Sequence, residues 1–265
     1  MKCIGLMLLA GVTLASETSS TFGGEPRQDE RMVKLVAFGD STTAPRGSVQ
    51  VYVDCLKHDL PRKGMEVDAV NAGKGGNTTE AARGRFSEDV LDRQPDIVVI
   101  QFGINDAAVD VWKTPPATQA RVTTNRYTVN LEYFVETLQA QNRGVILMTP
   151  NPMRWAPALK QMYGKPPYRP DAPDGFNEIL RTYADCVRGV AKKHAVPLVD
   201  VYEAFQTYGH GMGQSIDDLL LDGMHPNGKG HQLVADLLIK EVLRSKVSGT
   251  EQQGRADALP ARATP

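Results

Sequence analysis

The chain has 265 residues, of which 41% are hydrophobic, and a formal net charge of −1 at pH 7. A chain of this length buries enough apolar surface for one sizeable core. The near-neutral charge argues against nucleic acid or an anionic membrane surface as a partner, because both attract strongly basic proteins. Composition therefore predicts a globular protein, and its chemistry depends on the arrangement of particular residues.

The N-terminal residues are predicted to direct export. Lys2 provides a positive start and residues 3–15 are apolar, so residues 1–15 are predicted to be a signal peptide. The apolar stretch is shorter than the roughly 20 residues that span a membrane, which predicts a periplasmic or extracellular protein without a stable membrane anchor. The alternatives are an uncleaved anchor and a buried N-terminal helix. Cys3 lacks the sequence context of lipoprotein processing, and residues 16–30 predict a flexible leader.

Five short apolar runs are predicted to be β-strands, and the amphipathic stretches between them are predicted to be helices. The strands cover residues 33–38, 67–70, 97–102, 145–148 and 196–200, and the helices cover residues 49–60, 78–93, 125–141, 175–194 and 231–247, with a pair of helices in residues 78–93. Continuous apolar runs are typical of parallel strands that are buried on both faces. The alternation of strand and helix predicts an α/β sandwich with right-handed crossovers.

One domain is predicted over residues 31–247, followed by a polar, disordered tail at residues 248–265. Within the domain, residues 109–124 and 150–174 form long proline-containing loops that each follow a strand. Open α/β sheets bind ligands at the carboxyl ends of their strands, and long loops there are often functional. Both loops are therefore predicted to border a binding site.

The two cysteines of the domain are predicted to be free thiols. Cys55 and Cys186 lie in helical patterns among apolar neighbours, where buried free cysteines are common. An exported compartment would permit a disulfide between them, which is the alternative. The sequence has no CxxC, HExxH, Walker or GxGxxG motif, so no metal and no cofactor are predicted.

Residues 222–226 read Asp-Gly-Met-His-Pro and precede the last predicted helix. An aspartate three residues before a histidine can accept its ring Nδ1–H, which leaves Nε2 free to act as a general base. Asp222 and His225 are therefore a candidate catalytic pair. The alternative is a local Asp-Gly turn with a surface histidine. His231, early in the last helix, is predicted to be a surface or packing residue.

Ser41 is the candidate nucleophile for that base. It follows the first predicted strand on a Gly39-Asp40 turn, where its hydroxyl can point into the ligand crevice. A serine needs a neighbouring base to become a strong nucleophile. An N-cap serine or an ordinary turn is the alternative. The surrounding sequence differs from the GxSxG motif of α/β-hydrolases, because a threonine stands two residues after the serine.

Acyl transfer also needs hydrogen-bond donors aimed at a developing oxyanion. Gly73 follows the second predicted strand and lets a backbone N–H approach a ligand without a Cβ in the way. Asn105 follows the third strand and carries a side-chain amide donor. Asn71 is placed to orient the Gly73 loop through side-chain bonds to the backbone, and Asp40 is predicted to support the serine turn. Ordinary turn residues are the alternative for both donors.

Four blocks in this order resemble the SGNH (GDSL-like) hydrolase family. They are Gly-Asp-Ser-Thr at residues 39–42, Asn-Ala-Gly at 71–73, Gly-x-Asn-Asp at 103–106 and Asp-x-x-His-Pro at 222–226. The resemblance spans about residues 33–247. It implies a three-layer sandwich around a flavodoxin-like, five-stranded parallel sheet of strand order 2-1-3-4-5.

The same resemblance implies a role for each residue of the blocks. Ser41 would be the nucleophile, His225 the base and Asp222 the group that orients the base. The oxyanion hole would consist of the Ser41 N–H, the Gly73 N–H and Asn105 Nδ2. The Gly-Asp-Ser-Thr block resembles the rhamnogalacturonan acetylesterase-like branch, which deacetylates plant-type polysaccharides, although the second block departs from that branch.

The predicted function is therefore that of an exported serine esterase that removes O-acetyl groups from a carbohydrate. Trp155, Tyr163 and Tyr168 are predicted to stack on sugar rings, and Arg154 to contact an acidic polysaccharide. Packing of a proline-rich loop is the alternative for the aromatic residues. The other functions considered are an esterase or thioesterase for lipids or short acyl groups, and an inactive SGNH-like carbohydrate-binding module.

Overall fold

The predicted apolar runs form one parallel sheet. The structure, a computed structural model, describes residues 32–257, with the backbone alone for residues 246–257. The strands are β1 (Val33–Gly39), β2 (Val67–Gly73), β3 (Ile97–Gln101), β4 (Gly144–Met148) and β5 (Leu198–Val199). Within the described range they form a five-stranded sheet in the order β2-β1-β3-β4-β5, and all neighbouring strands are parallel. The predicted fold class and strand order are confirmed.

Helices connect the strands and cover both faces of the sheet. They are α1 (Tyr52–Arg62), α2 (Thr79–Arg83), α3 (Phe86–Asp89), α4 (Ile104–Ala107), α5 (Thr124–Ala140), α6 (Pro157–Tyr163), α7 (Asn177–Lys193), α8 (Val201–Gly209) and α9 (Gly228–Asp257). Short 3-10 turns cover Leu91–Arg93 and Ile216–Leu219. The sheet and its two helical layers make a three-layer sandwich.

Alternate side chains of β1 enter the two halves of the hydrophobic core. Val36 and Phe38 pack with residues of α3, α5 and α7 on one face of the sheet. Leu35 and Ala37 pack with residues of α1, α8 and α9 on the other face. Successive side chains of a strand point in opposite directions, so a strand that is covered on both faces needs the continuous apolar run seen in the sequence.

Several helices lie where the sequence predicts none. Helix α6 lies inside the loop 150–174 and has Pro157 in its first turn, where the missing N–H is tolerated. Helix α8 follows β5 directly, with Asp200 as its side-chain N-cap. Short helices of this kind span too few turns for apolar periodicity to reveal them. The pair of helices predicted at residues 78–93 is present as α2 and α3, followed by a 3-10 turn, with Gly84 at the C-cap of α2.

The predicted signal peptide and leader, residues 1–30, lie outside the described residues. Helix α9 continues to Asp257, so it runs past the domain boundary predicted at residue 247. Among the described helices, none combines the length and the apolar character needed to span a bilayer. Cys55 and Cys186 are free thiols, as predicted.

Candidate active site

Ser41 lies on a tight turn at the carboxyl end of β1. The Asp40 side chain is buried, and its Oδ1 accepts hydrogen bonds from the backbone N and the hydroxyl of Thr42, each at 2.8 Å. A Cβ on Gly39 would lie 2.1 Å from Thr43 Oγ1, so the turn requires glycine at this position. The turn holds Ser41 at the edge of the sheet where open α/β folds bind their ligands.

The structure joins Ser41, His225 and Asp222 in one chain of hydrogen bonds. His225 Nε2 lies 3.0 Å from Ser41 Oγ, across a sequence separation of 184 positions. His225 Nδ1 lies 2.8 Å from Asp222 Oδ2. Because a carboxylate only accepts, Nδ1 carries the proton of this contact, and Nε2 is left to accept from the serine hydroxyl. This is the geometry that a serine nucleophile and its base require.

Asp222 also shapes the loop that carries His225. Its Oδ1 accepts hydrogen bonds from the backbone N of Met224 at 3.0 Å and of His225 at 2.9 Å. Partial burial by itself would raise the pKa of Asp222, but the hydrogen bonds from His225 and Met224 outweigh it and lower the pKa. The side chain therefore stays ionised and holds a negative charge beside the imidazole ring.

The loop after β4 clamps the His225 loop. Asn151 Nδ2 donates to the Met224 carbonyl at 2.9 Å, and Arg154 N donates to the Gly223 carbonyl at 2.7 Å. Gly223 has a φ of 83°, and a Cβ there would lie 2.4 Å from the Arg154 carbonyl oxygen. Asn151 is a supporting residue that the sequence patterns miss. Its signal is a Pro-Asn-Pro sequence just beyond a strand.

The Asn105 amide is held on both sides. Arg121 Nη1 donates to Asn105 Oδ1 at 3.2 Å, and Asn105 Nδ2 donates to Asp40 Oδ2 at 3.4 Å. The amide therefore directs its NH₂ group toward the Ser41 turn. Arg121 is absent from the predicted site because it stands 16 positions from Asn105, in a loop without periodic pattern.

The Gly73 N–H, predicted as an oxyanion donor, is already occupied. It donates to Asn71 Oδ1 at 2.9 Å, while Asn71 Nδ2 donates to the Thr43 carbonyl at 2.7 Å. Asn71 thus ties the end of β2 to the Ser41 turn. The same bond corrects the role predicted for Gly73, because a donor satisfied within the protein is not free for an oxyanion.

Backbone N–H groups that bond to no described acceptor lie at Ser41 and in the turn that follows β2. Among the described atoms, none accepts a hydrogen bond from the backbone N–H of Ser41, Gly75 or Gly76. Gly76 has a φ of 74°, a conformation that residues with a side chain rarely adopt. The turn follows β2 at the same edge of the sheet as Ser41. Gly76 therefore replaces Gly73 as the candidate donor of this segment.

Two buried carboxyl groups accept hydrogen bonds from the backbone near the site. Burial raises the pKa of Asp40 more than its hydrogen bonds with Thr42 lower it. Burial likewise raises the pKa of Asp106 to about 7. Asp106 Oδ1 accepts from the backbone N of Thr79 at 2.8 Å, which ties the start of α2 to the Asn105 turn. Both acids are placed to hold backbone segments together.

Two of the residues predicted to stack on sugars are packed inside the molecule. Tyr163 and Tyr168 are 6% and 3% exposed, and their ring centroids lie 5.7 Å apart, edge to face. Tyr168 Oη accepts a hydrogen bond from Val109 N at 2.7 Å. Neither ring offers a free face to a ligand, so the packing alternative holds for both. They anchor the loop 109–124.

Trp155 and Arg154 remain at the surface of the loop 150–174. Trp155 is half-buried and its Nε1 donates to the Ala172 carbonyl at 2.9 Å. Both residues line a cavity of about 210 Å³ together with Lys160 and Asp217. Trp112, in the loop 109–124, is 47% exposed and offers an aromatic surface that no sequence pattern predicts.

One group of potential metal ligands lies away from Ser41. In the described part of the chain, Glu132, Glu136 and His194 bring one ligand atom each within 4.8 Å of one another. His194 Nε2 is 3.9 Å from both carboxylates, and Lys193 Nζ already occupies Glu132 Oε1 at 2.6 Å. The group joins the second half of α5 to the end of α7, at the opposite edge of the sheet from the candidate active site.

A parallel sheet of this order, with a serine and a histidine in contact at its carboxyl edge, defines the class of SGNH hydrolases. The model of the GDSL-like lipase/acylhydrolase family matches residues 37–233. The chain belongs to this family, and the predicted resemblance is confirmed.

Three relatives support the family assignment. The chain is 35% identical to an uncharacterized lipoprotein, YqeF, of Bacillus subtilis (strain 168), over 76% of this chain and 85% of the relative. It is 27% identical to an acetylxylan esterase of Geobacillus stearothermophilus, over 79% and 93%. It is 25% identical to an isoamyl acetate-hydrolyzing esterase of Saccharomyces cerevisiae (strain ATCC 204508 / S288c), over 79% and 85%.

A solved structure agrees with these relatives. The lipase/acylhydrolase from Enterococcus faecalis superimposes with a TM-score of 0.62 and 31% identity, over 80% of this chain and 95% of the other. Family membership and the esterase relatives make the protein a carboxylic ester hydrolase.

Proposed function

We propose that the protein is an exported serine esterase that removes acetyl groups from a carbohydrate. Ser41 is the nucleophile, His225 the general base and Asp222 the group that orients the base. The hydrogen-bonded chain through these three side chains carries the proposal, because a serine without a base attacks esters poorly.

In the first half of the reaction, His225 Nε2 takes the proton of Ser41 Oγ while Oγ bonds to the ester carbonyl carbon. The carbonyl π electrons move to oxygen, and the resulting oxyanion accepts from the Ser41 N–H, Asn105 Nδ2 and the Gly76 N–H. Collapse of this intermediate breaks the bond to the alcohol, which takes the proton from His225. Water then attacks the acyl-enzyme by the same steps and releases the carboxylic acid.

The acetyl group is the proposed acyl group because two relatives are named for acetate esters. One is named for acetylated xylan and the other for isoamyl acetate. The two names share the acid and differ in the alcohol. A site inherited with the family would therefore retain its fit to a small acyl group, while the surrounding loops select the alcohol.

A carbohydrate is the proposed alcohol because the loops beside the site carry exposed aromatic and charged side chains. Trp112 is 47% exposed, and the cavity beside the His225 loop is lined by Trp155, Arg154 and Lys160. Aromatic faces and charged hydrogen-bonding groups suit a polar sugar better than a lipid chain. Export rests on the predicted signal peptide at residues 1–15, and the lipoprotein name of the Bacillus relative supports it.

Replacement of the nucleophile tests the reaction. We expect Ser41→Ala to abolish acetate release, because no other group would form the acyl-enzyme, and to leave the thermal unfolding midpoint unchanged. Acetate is measured over a panel of acetylated polysaccharides, acetylated oligosaccharides, isoamyl acetate, lipid esters and thioesters. Ser48→Ala, at an exposed serine of the same segment, is the matched control and should keep full activity.

The outcomes separate the proposal from its alternatives. Acetate release by Ser41→Ala at the wild-type rate would refute the nucleophile. Release from isoamyl acetate alone would assign a small-alcohol acetate esterase. A wild-type protein that hydrolyses none of the esters, and that a fluorophosphonate fails to label at Ser41, would indicate the inactive carbohydrate-binding module.

A further inference from the structure

We infer that Arg121 is a positioning residue that sets the orientation of the Asn105 amide in the oxyanion hole. The inference rests on the proposed function, because it gives Asn105 Nδ2 the role of an oxyanion donor. Arg121 lies outside the four sequence blocks, and a positioning role for it gives the loop 109–124 a function.

The Arg121 guanidinium is firmly anchored. Its Nε and Nη2 donate to Asp110 Oδ1 at 3.0 and 2.7 Å, and the Asp110 side chain is only 5% exposed. Its remaining nitrogen, Nη1, donates to Asn105 Oδ1 at 3.2 Å. A planar guanidinium held at two nitrogens has a defined direction for the third. Arg121 is therefore a fixed donor beside the amide.

A fixed donor decides which way the amide faces. Guanidinium carries donors only and carboxylate accepts only, whereas an amide has one end of each kind. In the observed orientation Asn105 Oδ1 faces Arg121, and Nδ2 faces Asp40 Oδ2 at 3.4 Å. The flipped amide would oppose N–H to N–H at Arg121, which has no acceptor. Arg121 thus favours the orientation that supplies Nδ2 to the oxyanion.

The loop that carries Arg121 folds back on the Asn105 turn. Arg121 N donates to the Ala108 carbonyl at 2.9 Å, and Val122 N donates to the Asp106 carbonyl at 3.1 Å. The two buried tyrosines hold the same loop, since Arg121 Nη2 donates to Tyr163 Oη at 3.4 Å and Tyr168 Oη accepts from Val109 N. This explains the function of a long loop that has little regular structure.

A competing role for Arg121 would be direct binding of an acidic substrate. Each of its three side-chain nitrogens already donates to a protein acceptor, and its charge lies against that of Asp110. A guanidinium used in this way has little left for a ligand. The contacts therefore favour positioning over substrate binding.

A double-mutant cycle tests the inference. We expect Arg121→Ala to lower kcat about tenfold, with KM changed less than twofold. A misoriented amide weakens the stabilisation of the oxyanion, which forms only in the transition state, and leaves substrate binding unchanged. Asn105→Ala should lower kcat roughly 10²–10³-fold, as for other oxyanion donors. The double variant should be no slower than Asn105→Ala, because Arg121 acts through the amide.

Two further variants serve as controls. Arg121→Lys keeps a positive charge beside Asp110 but cannot reach both acceptors with one nitrogen, so it should show the same kcat loss with less effect on folding. Arg126→Ala removes an exposed ion pair with Glu80 at the start of α5 and should keep wild-type kinetics. Thermal midpoints are recorded for all variants.

The results distinguish this inference from the proposed function. If Asn105→Ala loses activity while both Arg121 variants keep the wild-type kcat, positioning by Arg121 is refuted and the oxyanion role of Asn105 stands. Effects of Arg121→Ala and Asn105→Ala that multiply in the double variant, or a change in KM alone, would also refute it. Full activity of Asn105→Ala would refute the oxyanion role of Asn105 together with the positioning by Arg121, whereas the Ser41 nucleophile is tested separately by Ser41→Ala.

Discussion

At the scale of single residues, Asp222 illustrates how one side chain serves both structure and proposed chemistry. Its Oδ1 holds two backbone N–H groups of the loop, and its Oδ2 holds the ring of His225. The structural bonds need only a carbonyl-type oxygen. The bond to the ring needs an acceptor, because a donor at that position would reverse the tautomer.

We therefore expect Asp222→Asn to separate the two roles. The amide oxygen can keep the two backbone bonds, so the thermal midpoint should change little. The amide NH₂ would face His225 Nδ1 and favour the tautomer whose Nε2 carries the proton, so kcat should fall on the order of 10²–10⁴-fold. Steady-state kinetics and thermal unfolding check both points, with Asp68→Asn at an exposed position of β2 as the control. A variant that keeps most of the wild-type kcat would contradict the orienting role.

At the scale of elements, the end of β2 packs directly on the turn that carries Ser41. A Cβ on Gly73 would lie 2.3 Å from Ala44 N and 2.6 Å from the Thr43 carbonyl carbon. These are backbone atoms, which cannot rotate away as a flexible side chain can. The strand and the turn are therefore in contact because residue 73 is glycine, and the bonds made by Asn71 reinforce that contact.

Gly73→Ala should accordingly destabilise the protein and displace the nucleophile together. We expect a loss of about 1–3 kcal/mol in the free energy of unfolding, as for other overpacked sites, and a lower kcat at temperatures where the variant is still folded. Denaturant unfolding measures the first effect. Gly75→Ala is the control for stability, since its Cβ would meet no atom within 4 Å. Equal stability of the two variants would show that the turn moves freely.

At the scale of the whole molecule, α9 closes one half of the core beneath the active site. His231 lies in its first turns, 2% exposed, with its ring centroid 6.2 Å from that of Tyr52 in α1. Its Nδ1 has no hydrogen-bond partner among the described atoms. The residue belongs to the packing class predicted from the sequence, and its burial makes the fold sensitive to acid.

Burial lowers the pKa of His231 to about 4, with smaller contributions from Arg46 and His225. The unfolded chain takes up this proton near pH 6.5 while the folded protein keeps the ring neutral, so stability falls as the pH drops from about 6.5 to 4. We expect this group to account for on the order of 3 kcal/mol of that loss. His231→Gln should remove this part of the slope in urea unfolding measured between pH 7 and 4. The exposed His58→Asn should keep it, and equal slopes for wild type and His231→Gln would contradict the assignment.

Much of the fold and of the site follows from local sequence. Continuous apolar runs mark β1 and β3 because both faces of those strands are covered, and the order of the four blocks predicts the strand order through a family resemblance. The Asp222-His225 pair is local, since three residues of backbone bring the carboxylate to the ring. Ser41 and Asn105 follow strands, so the topology of a parallel sheet carries both to the same edge.

Other features depend on contacts between distant segments, which only the tertiary structure decides. The Asn71 side chain that accepts from the Gly73 N–H is itself held by the Thr43 carbonyl, 28 positions away, and among the described residues the N–H of Gly76 offers the alternative donor. Tyr163 and Tyr168 are buried because they pack against each other and against Phe176, whereas exposed and buried aromatic residues of a loop look alike in sequence. Arg121 reaches Asn105 through a loop without periodicity. In each case the outcome depends on which group bonds to a donor or packs against a ring. Packing at the carboxyl edge of the sheet determines that group.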